Sequence, residues 1–207
     1  METRDSFTRS NILSCASAIL REKGSRDFSV DEVAQRAGVQ ETTVEYFFDS
    51  PTQLIGEAQL ANYFTLVKSH HLVQLRVEDA LANQDLDAFD KAVQENLELA
   101  WSSGQVGNRW GIFELLHDIW SDPFSQSHFC ELLDIQFERW ISVIQEAQRL
   151  GWIEDDIDPK ALVSVFWSSS VGQVITAGST VLNVTPKENR DFIMRIVRPP
   201  SRLGARA

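Results

Sequence analysis

Cysteine is almost absent: Cys15 and Cys130 are the only two in 207 residues. They lie in separate helix-like stretches without a metal-type spacing, so both are expected to be small buried apolar groups. Long hydrophobic runs are missing too. The most apolar stretch, 161–177, is interrupted by Ser164, Ser168, Ser169, Ser170 and Gln173, and so falls short of the roughly 18 to 20 apolar residues that cross a bilayer. Residues 1–10 are polar and hold no signal-peptide core, which makes the cytoplasm the expected compartment and gives a membrane no part in the reading.

Catalytic and metal-binding signatures are equally scarce. There is no phosphate-cradling glycine motif, nucleophile elbow or dinucleotide fingerprint. His70 and His71 are adjacent and cannot converge on one metal from a regular helix, while His117 and His128 have no ligand partner at a recognisable spacing. The acidic stretch Glu154, Asp155, Asp156 and Asp158 lacks the glycine turn and closing glutamate of a calcium loop. No enzyme activity, cofactor or metal is therefore expected. Basic charge is the last shortage: 19 Lys and Arg against 30 Asp and Glu leave a net charge of -11. Affinity for DNA comes largely from cations that displace phosphate counterions, so any nucleic-acid role must rest on local features.

Helical periodicity, by contrast, runs through nearly the whole chain, and strand-like alternation is absent. With 43% apolar residues, the length and composition fit one or two globular domains. Ile12, Ala16, Ile19 and Leu20 form a stripe on a first helix that stops at Gly24 after the basic Arg21 and Lys23. Ser29 and Glu32 are spaced as a capping box for a second helix, which ends at Ala37-Gly38-Val39. A third short helix runs from near Gln40 to about Phe48, and a fourth opens at Ser50 with Pro51 in the first helical position. Further amphipathic runs lie near 78–102, 108–121, 123–150, 159–178 and 186–197, with Gly151 as a stop and Asp158 placed to cap. The fold class is all-α, with an N-terminal three-helix domain at 1–62, a larger helical domain at 63–198 and a disordered basic tail at 199–207. The boundary near Asn62 rests on a change in character, since all six Trp lie beyond it.

Within the first domain, Ala34 is small where two helices cross, Gly38 can take the positive φ that ends one of them, and Val33, Ala37, Val39, Val44 and Phe47 are apolar between them. Any tight αα-corner needs such residues, with or without a nucleic-acid role. The run Phe28-Ser29-Val30-Asp31-Glu32-Val33-Ala34-Gln35-Arg36-Ala37-Gly38-Val39, followed by Thr43-Val44-Glu45-Tyr46-Phe47-Phe48-Asp49-Ser50 and Leu54, resembles the N-terminal helix-turn-helix of the TetR/AcrR family of transcriptional regulators. The likeness covers about 12–60; the remainder agrees in length and helicity. It implies a homodimer whose last two long helices form an intersubunit four-helix bundle, a ligand cavity in each C-terminal domain, and double-stranded DNA as partner.

Three positions depart from the family pattern. Glu41 stands where a small or basic residue is usual, Glu45 where a tyrosine is, and Pro51 where a lysine opens the next helix. With Val44 and Phe47 turned inward, Glu41, Thr42, Glu45 and Tyr46 occupy the outward arc. Together with Gln40 and Thr43 on the same helix, Arg9 ahead of the first helix, Arg36 at the end of the second, and Ser29 and Ser50 at helix N-termini, they make up the expected DNA-binding set. For Glu45 two readings stand: it accepts a hydrogen bond from cytosine N4, or it is simply solvated. Residues 1–50 hold six basic and nine acidic side chains, a net charge of -3, without the basic excess of an electrostatic footprint.

The second domain is rich in aromatic residues. Trp101, Trp110, Phe113, Trp120, Phe137, Trp140 and Trp167 suit a small apolar or aromatic effector, with Glu114, His117 or Gln136 as polar anchor, although aromatics at helical spacing also build cores. The mixed small and bulky residues of 161–178 suit either a two-fold interface or an internal helix, and the family resemblance favours the interface. The functional expectation is a dimeric repressor of a near-palindromic operator, released by the effector. The alternative is a co-regulator of the same fold, with weak or lost DNA binding, that acts through a partner protein.

Overall fold

The computed structural model describes residues 2–101, 106–176, 179–182 and 184–198, the side chains at 2–4, 101, 106–110 and 174 excepted. These residues hold nine helices and no strand: α1 (Glu2–Lys23), α2 (Val30–Ala37), α3 (Glu41–Phe47), α4 (Pro51–Ala82), α5 (Leu86–Trp101), α6 (Val106–Trp120), α7 (Pro123–Arg149), α8 (Pro159–Thr176) and α9 (Pro186–Val197). The chain divides into two compact units, Met1–Val67 with Gly111–Leu133, and Lys68–Trp110 with Asp134–Ala207. The division therefore falls inside α4, and a segment from the middle of the chain belongs with the N-terminal helices. The expected tail at 199–207 lies outside the described residues. No helix among those described is long and apolar enough to cross a membrane.

In the first unit the stripe Ile12, Ala16, Ile19 and Leu20 of α1 packs with Val33 and Ala34 of α2, Val44 of α3, Phe48, and Leu54 and Ala58 of α4. Gly38 ends α2 in the left-handed region at φ 69°. Its N–H donates to the Gln35 carbonyl and that of Val39 to the Ala34 carbonyl, which satisfies two carbonyls the helix would otherwise leave unpaired. A Cβ at Gly38 would meet nothing within 4 Å, so Gly38→Ala should lose only the left-handed backbone term, about 1–2 kcal/mol. A shift of the urea midpoint corresponding to that loss, with an unchanged m-value, checks this; a loss above about 3 kcal/mol would point to a steric clash instead.

Between α1, α4 and α6 lies a buried polar seam. Gln59 donates to Asp118 at 2.8 Å, Asn62 donates to Gln59 at 3.1 Å, and the Ser17 hydroxyl donates to the Ala58 carbonyl at 3.1 Å. One turn earlier on α4, Gly56 passes so close to α7 that a Cβ would sit 2.8 Å from Ser125 Cβ and nearer still to its hydroxyl. Ser125 is itself buried and bonded to Asp122, which accepts both its N–H at 2.8 Å and its O–H at 2.7 Å.

The core of the second unit joins Val73, Val77, Ala80 and Leu81 of α4 to Phe89 and Ala92 of α5, Val143, Ile144 and Ala147 of α7, Trp152, Ile153, Val163 of α8 and Val197 of α9. Helix α9 is fixed to α5 by the ion pairs Arg190–Glu98 and Arg198–Asp90. Successive turns of α4 present polar groups to this unit: His70 Nδ1 meets Asn96 Oδ1 of α5 at 3.1 Å, Gln74 accepts from Gln136 of α7, and Glu78 accepts two hydrogen bonds from Arg139 Nη2 at 2.8 Å.

Several local expectations change. Helix α1 begins at Glu2, so Arg9 lies within it rather than ahead of it. Ser29 is the N-cap of α2, but its side chain makes no capping bond; Glu32 instead accepts from Lys23 and Arg36. The run expected at 78–102 is split: Gln84 takes φ 52° and the Asp85 carboxylate accepts the Ala88 N–H at 3.0 Å, so α5 starts afresh. Cys130 is exposed and Cys15 partly so, not buried as their type suggests. Asp158 does cap α8, accepting from the Ala161 N–H at 2.8 Å, and Thr185 with Glu188 forms a capping box on α9 that the sequence reading passed over.

Candidate nucleic-acid interface

Helix α3 has seven residues, and its tertiary contacts supply the stability that so short a helix lacks alone. Val44 is buried, Phe47 packs against the first core, and Phe48 closes the far end. At its start the backbone of Gln40 is extended, and its carbonyl accepts from the Thr43 N–H at 2.9 Å. Glu41, Thr42, Glu45 and Tyr46 are all exposed, as the wheel required, and Thr43 is half-buried. Tyr46 is 76% exposed and meets only the edge of Phe47, with ring centres 5.0 Å apart. An exposed helix face on a rigid apolar base is thus present, with a large amphipathic side chain on it. The carboxylates of Glu41 and Glu45 have no hydrogen bond or ion pair among the described residues.

The cations expected to grip phosphate are engaged elsewhere. Arg36 donates from both terminal nitrogens to Glu22, at 3.0 and 2.7 Å, and from Nη2 to Glu32 at 2.8 Å. Lys23 donates to both oxygens of Glu32, at 2.9 and 2.8 Å. The Arg36 hydrogen bonds hold the Glu22 carboxyl below the ordinary carboxylate value, while those of Lys23 and then Arg36 do the same for Glu32. The guanidinium of Arg36 is correspondingly harder to deprotonate, through Glu22 first and then Glu32. These groups face solvent, so the pairs add little stability; their consequence is positional. Arg9 pairs with Glu57 and stacks over the Phe48 ring, 4.9 Å from its centre. Of the two serines expected at helix N-termini, Ser50 accepts the Gln53 N–H at 3.1 Å and caps α4. Pro51 removes one backbone donor there.

The expected effector residues fall into separate groups. Phe113, Glu114, His117 and Trp120 belong to the first unit, and Phe137, Trp140 and Trp167 to the second; the side chains of Trp101 and Trp110 lie outside the described residues. Glu114 accepts from Ser25, from its N–H at 3.1 Å and its hydroxyl at 3.3 Å, and so holds the turn after α1. His117 is exposed. Trp120 lies edge-on to Phe129 at 5.4 Å, and Phe137 edge-on to Trp167 at 5.2 Å. Phe137 and Trp140 are half-buried against the second core. An open groove of about 530 Å³ between α4 and α7 is lined by Glu78, Leu81, Ile135, Arg139 and Val143 among others, and by none of the expected aromatics. Sequence reasoning missed Gln74, which is fully buried with its Nε2 unmatched. The available signal was a polar residue between Val73 and Val77 on an apolar helix face.

No protein-family profile and no curated protein matches the chain. Solved structures do. A protein of Saccharomonospora viridis, assigned as a transcriptional regulator and solved with choline, aligns with 18% identity and a TM-score of 0.62 over 94% of this chain and 100% of that one. A TetR transcription regulator of Haloarcula marismortui aligns with 16% identity and a TM-score of 0.61 over 92% and 95% of the two chains. SmeT, the repressor of the Stenotrophomonas maltophilia multidrug efflux pump SmeDEF, in its triclosan complex, aligns with 14% identity and a TM-score of 0.55 over 93% and 92%. Helices in this order, with a short third helix exposed on a packed base, give the chain the all-α fold of the TetR-family transcriptional regulators.

Proposed function

We propose that the protein is a transcriptional regulator that binds a near-palindromic operator as a homodimer and is released by a small apolar or aromatic effector. The observation that carries this is the outward face of α3, where Glu41, Thr42, Glu45 and Tyr46 stand exposed on buried Val44 in a fold shared with TetR regulators. In a competent dimer the two α3 helices lie about 34 Å apart, one turn of DNA. Effector binding lowers affinity by favouring a dimer with another spacing. Choline and triclosan bound in other proteins of this fold support a small-molecule effector here.

Selection of bound fragments from random DNA, followed by titration across salt, tests the reading. A palindromic consensus bound in the range of about 10⁻⁸ to 10⁻¹¹ M supports it; a folded dimer that enriches no sequence overturns it. Alanine at Tyr46 should weaken operator binding by at least tenfold, about 1.4 kcal/mol, and leave dimerisation intact. Equal affinity of the variant in a gel-shift titration would remove Tyr46 from the reading face.

We infer that α8 and α9 form the interface of this dimer. Ile175 is 71% exposed and Phe192 63%, with Val165 and Ile196 also open to solvent in the single chain, an apolar exposure typical of surfaces that pair. Phe192→Asp is expected to turn the dimer into a monomer by sedimentation velocity; a variant that stays dimeric moves the interface elsewhere.

A second reading is favoured by one observation. With Arg9 and Arg36 both ion-paired, a co-regulator that acts through a partner protein needs no further cation on this face. Failure of DNA selection, together with retention of a folded dimer, would promote it over the first.

A further inference from the structure

We infer that Glu45 determines operator specificity by selecting cytosine in each half-site, an inference that rests on the operator reading above. Ionised Glu45 is an acceptor only, and the major-groove edges of guanine and thymine offer it only acceptors or a methyl group. Adenine offers its N6 amino group, but with the N7 acceptor beside it. Cytosine offers the N4 amino group with no acceptor on its own major-groove edge, which makes it the base a carboxylate tolerates best.

The Glu45 carboxylate is left open as an acceptor. It has no cationic partner among the described residues, and the basic side chains Lys23, Arg36 and Arg9 of α1 and α2 are held by other carboxylates: Lys23 by Glu32, Arg36 by Glu22 and Glu32, and Arg9 by Glu57. It stands on the exposed side of α3 next to Tyr46, with Val44 buried on the opposite side. A groove-facing position sets the carboxylate against base edges rather than against the flanking phosphates, which would repel it. Glu41, in the first turn of α3, is stabilised there by the positive end of the helix dipole and serves as the comparison.

The test is selection from random DNA with the full-length wild type, Glu45→Gln, Glu45→Ala and Glu41→Gln, each checked for folding by circular dichroism. The wild type should enrich one C·G pair at a fixed place in each half-site, favoured about tenfold or more over other bases. Glu45→Gln should move that preference to A·T, because a glutamine amide pairs with adenine N6 and N7 together. Glu45→Ala should relax it, and Glu41→Gln should leave it in place. A consensus that survives Glu45→Gln unchanged overturns the inference while leaving the operator reading standing. Absence of any consensus from the folded wild type overturns both.

Discussion

Phe129→Ala is expected to destabilise the protein by about 3–5 kcal/mol, a large part of the roughly 5–15 kcal/mol that holds a domain folded. Phe129 is the largest fully buried side chain among the described residues, 2% exposed. Its ring takes Tyr63 of α4 edge-on at 4.8 Å and Trp120 of α6 at 5.4 Å. Each such pair adds about 0.5–1.5 kcal/mol to the burial itself. Burial also pushes the Tyr63 phenol well above its ordinary pKa, so it stays neutral across the accessible pH range. The lost packing is what ties 111–133 to the N-terminal helices. Urea unfolding followed by tryptophan fluorescence reads the effect, and a loss below about 1 kcal/mol would mean the segment does not pack as described.

Releasing the clamped cations should have the largest effect on DNA. The double substitution Glu22→Gln with Glu32→Gln frees Lys23 and Arg36, which these carboxylates hold. Operator affinity is expected to rise by about tenfold or more, and the slope of log affinity against log salt to steepen by about one to two, near 0.9 for each phosphate newly contacted. The same change in net charge made at exposed Glu138 and Asp156 should raise affinity less and leave the slope alone. Equal slopes for the two variants would show that Arg36 never reaches phosphate. Acid gives a second handle, with the sign fixed by the depressed carboxyl pKa values. Because Glu22 and Glu32 titrate below 4.5 in the fold, their contribution is present above that value and is lost as pH falls through the lower folded-state values.

Much of the first unit could be read from spacing because its signals are local. The stripe of Ile12, Ala16, Ile19 and Leu20, the glycine stop at Gly38 and the proline start at Pro51 depend on neighbours within two turns. Where a distant partner competes, local signals fail. Glu32 had the spacing to cap Ser29, yet Lys23 of α1 and Arg36 one turn on hold its carboxylate, and the capping box never forms. The break before α5 escaped notice because apolar periodicity continues from Leu81 to Phe89 across it, while one positive φ at Gln84 ends the helix. The grouping of 111–133 with the N-terminal helices depends on contacts such as Gln59–Asp118 and Tyr63–Phe129, which no periodicity encodes. Of the candidate site, the outward arc of α3 was legible from its wheel. The engagement of Arg9 and Arg36 was not, since a sequence shows a charge but not its partner. The aromatic set was legible as composition, and its members belong to both units.

The rungs that α4 offers to α7 have a mechanical meaning. Gln74 meets Gln136 and Glu78 meets Arg139, so the two helices mesh like teeth cut for a single setting. Advancing α4 by one turn, about 5.4 Å, would face Glu78 toward buried Val143 and take its carboxylate away from Arg139. Retreating by one turn would leave Arg139 opposite Ala82. Half a step satisfies neither rung, and an unmade buried hydrogen bond costs about 1–3 kcal/mol. Sliding of α4 along α7 is thereby detented in both directions.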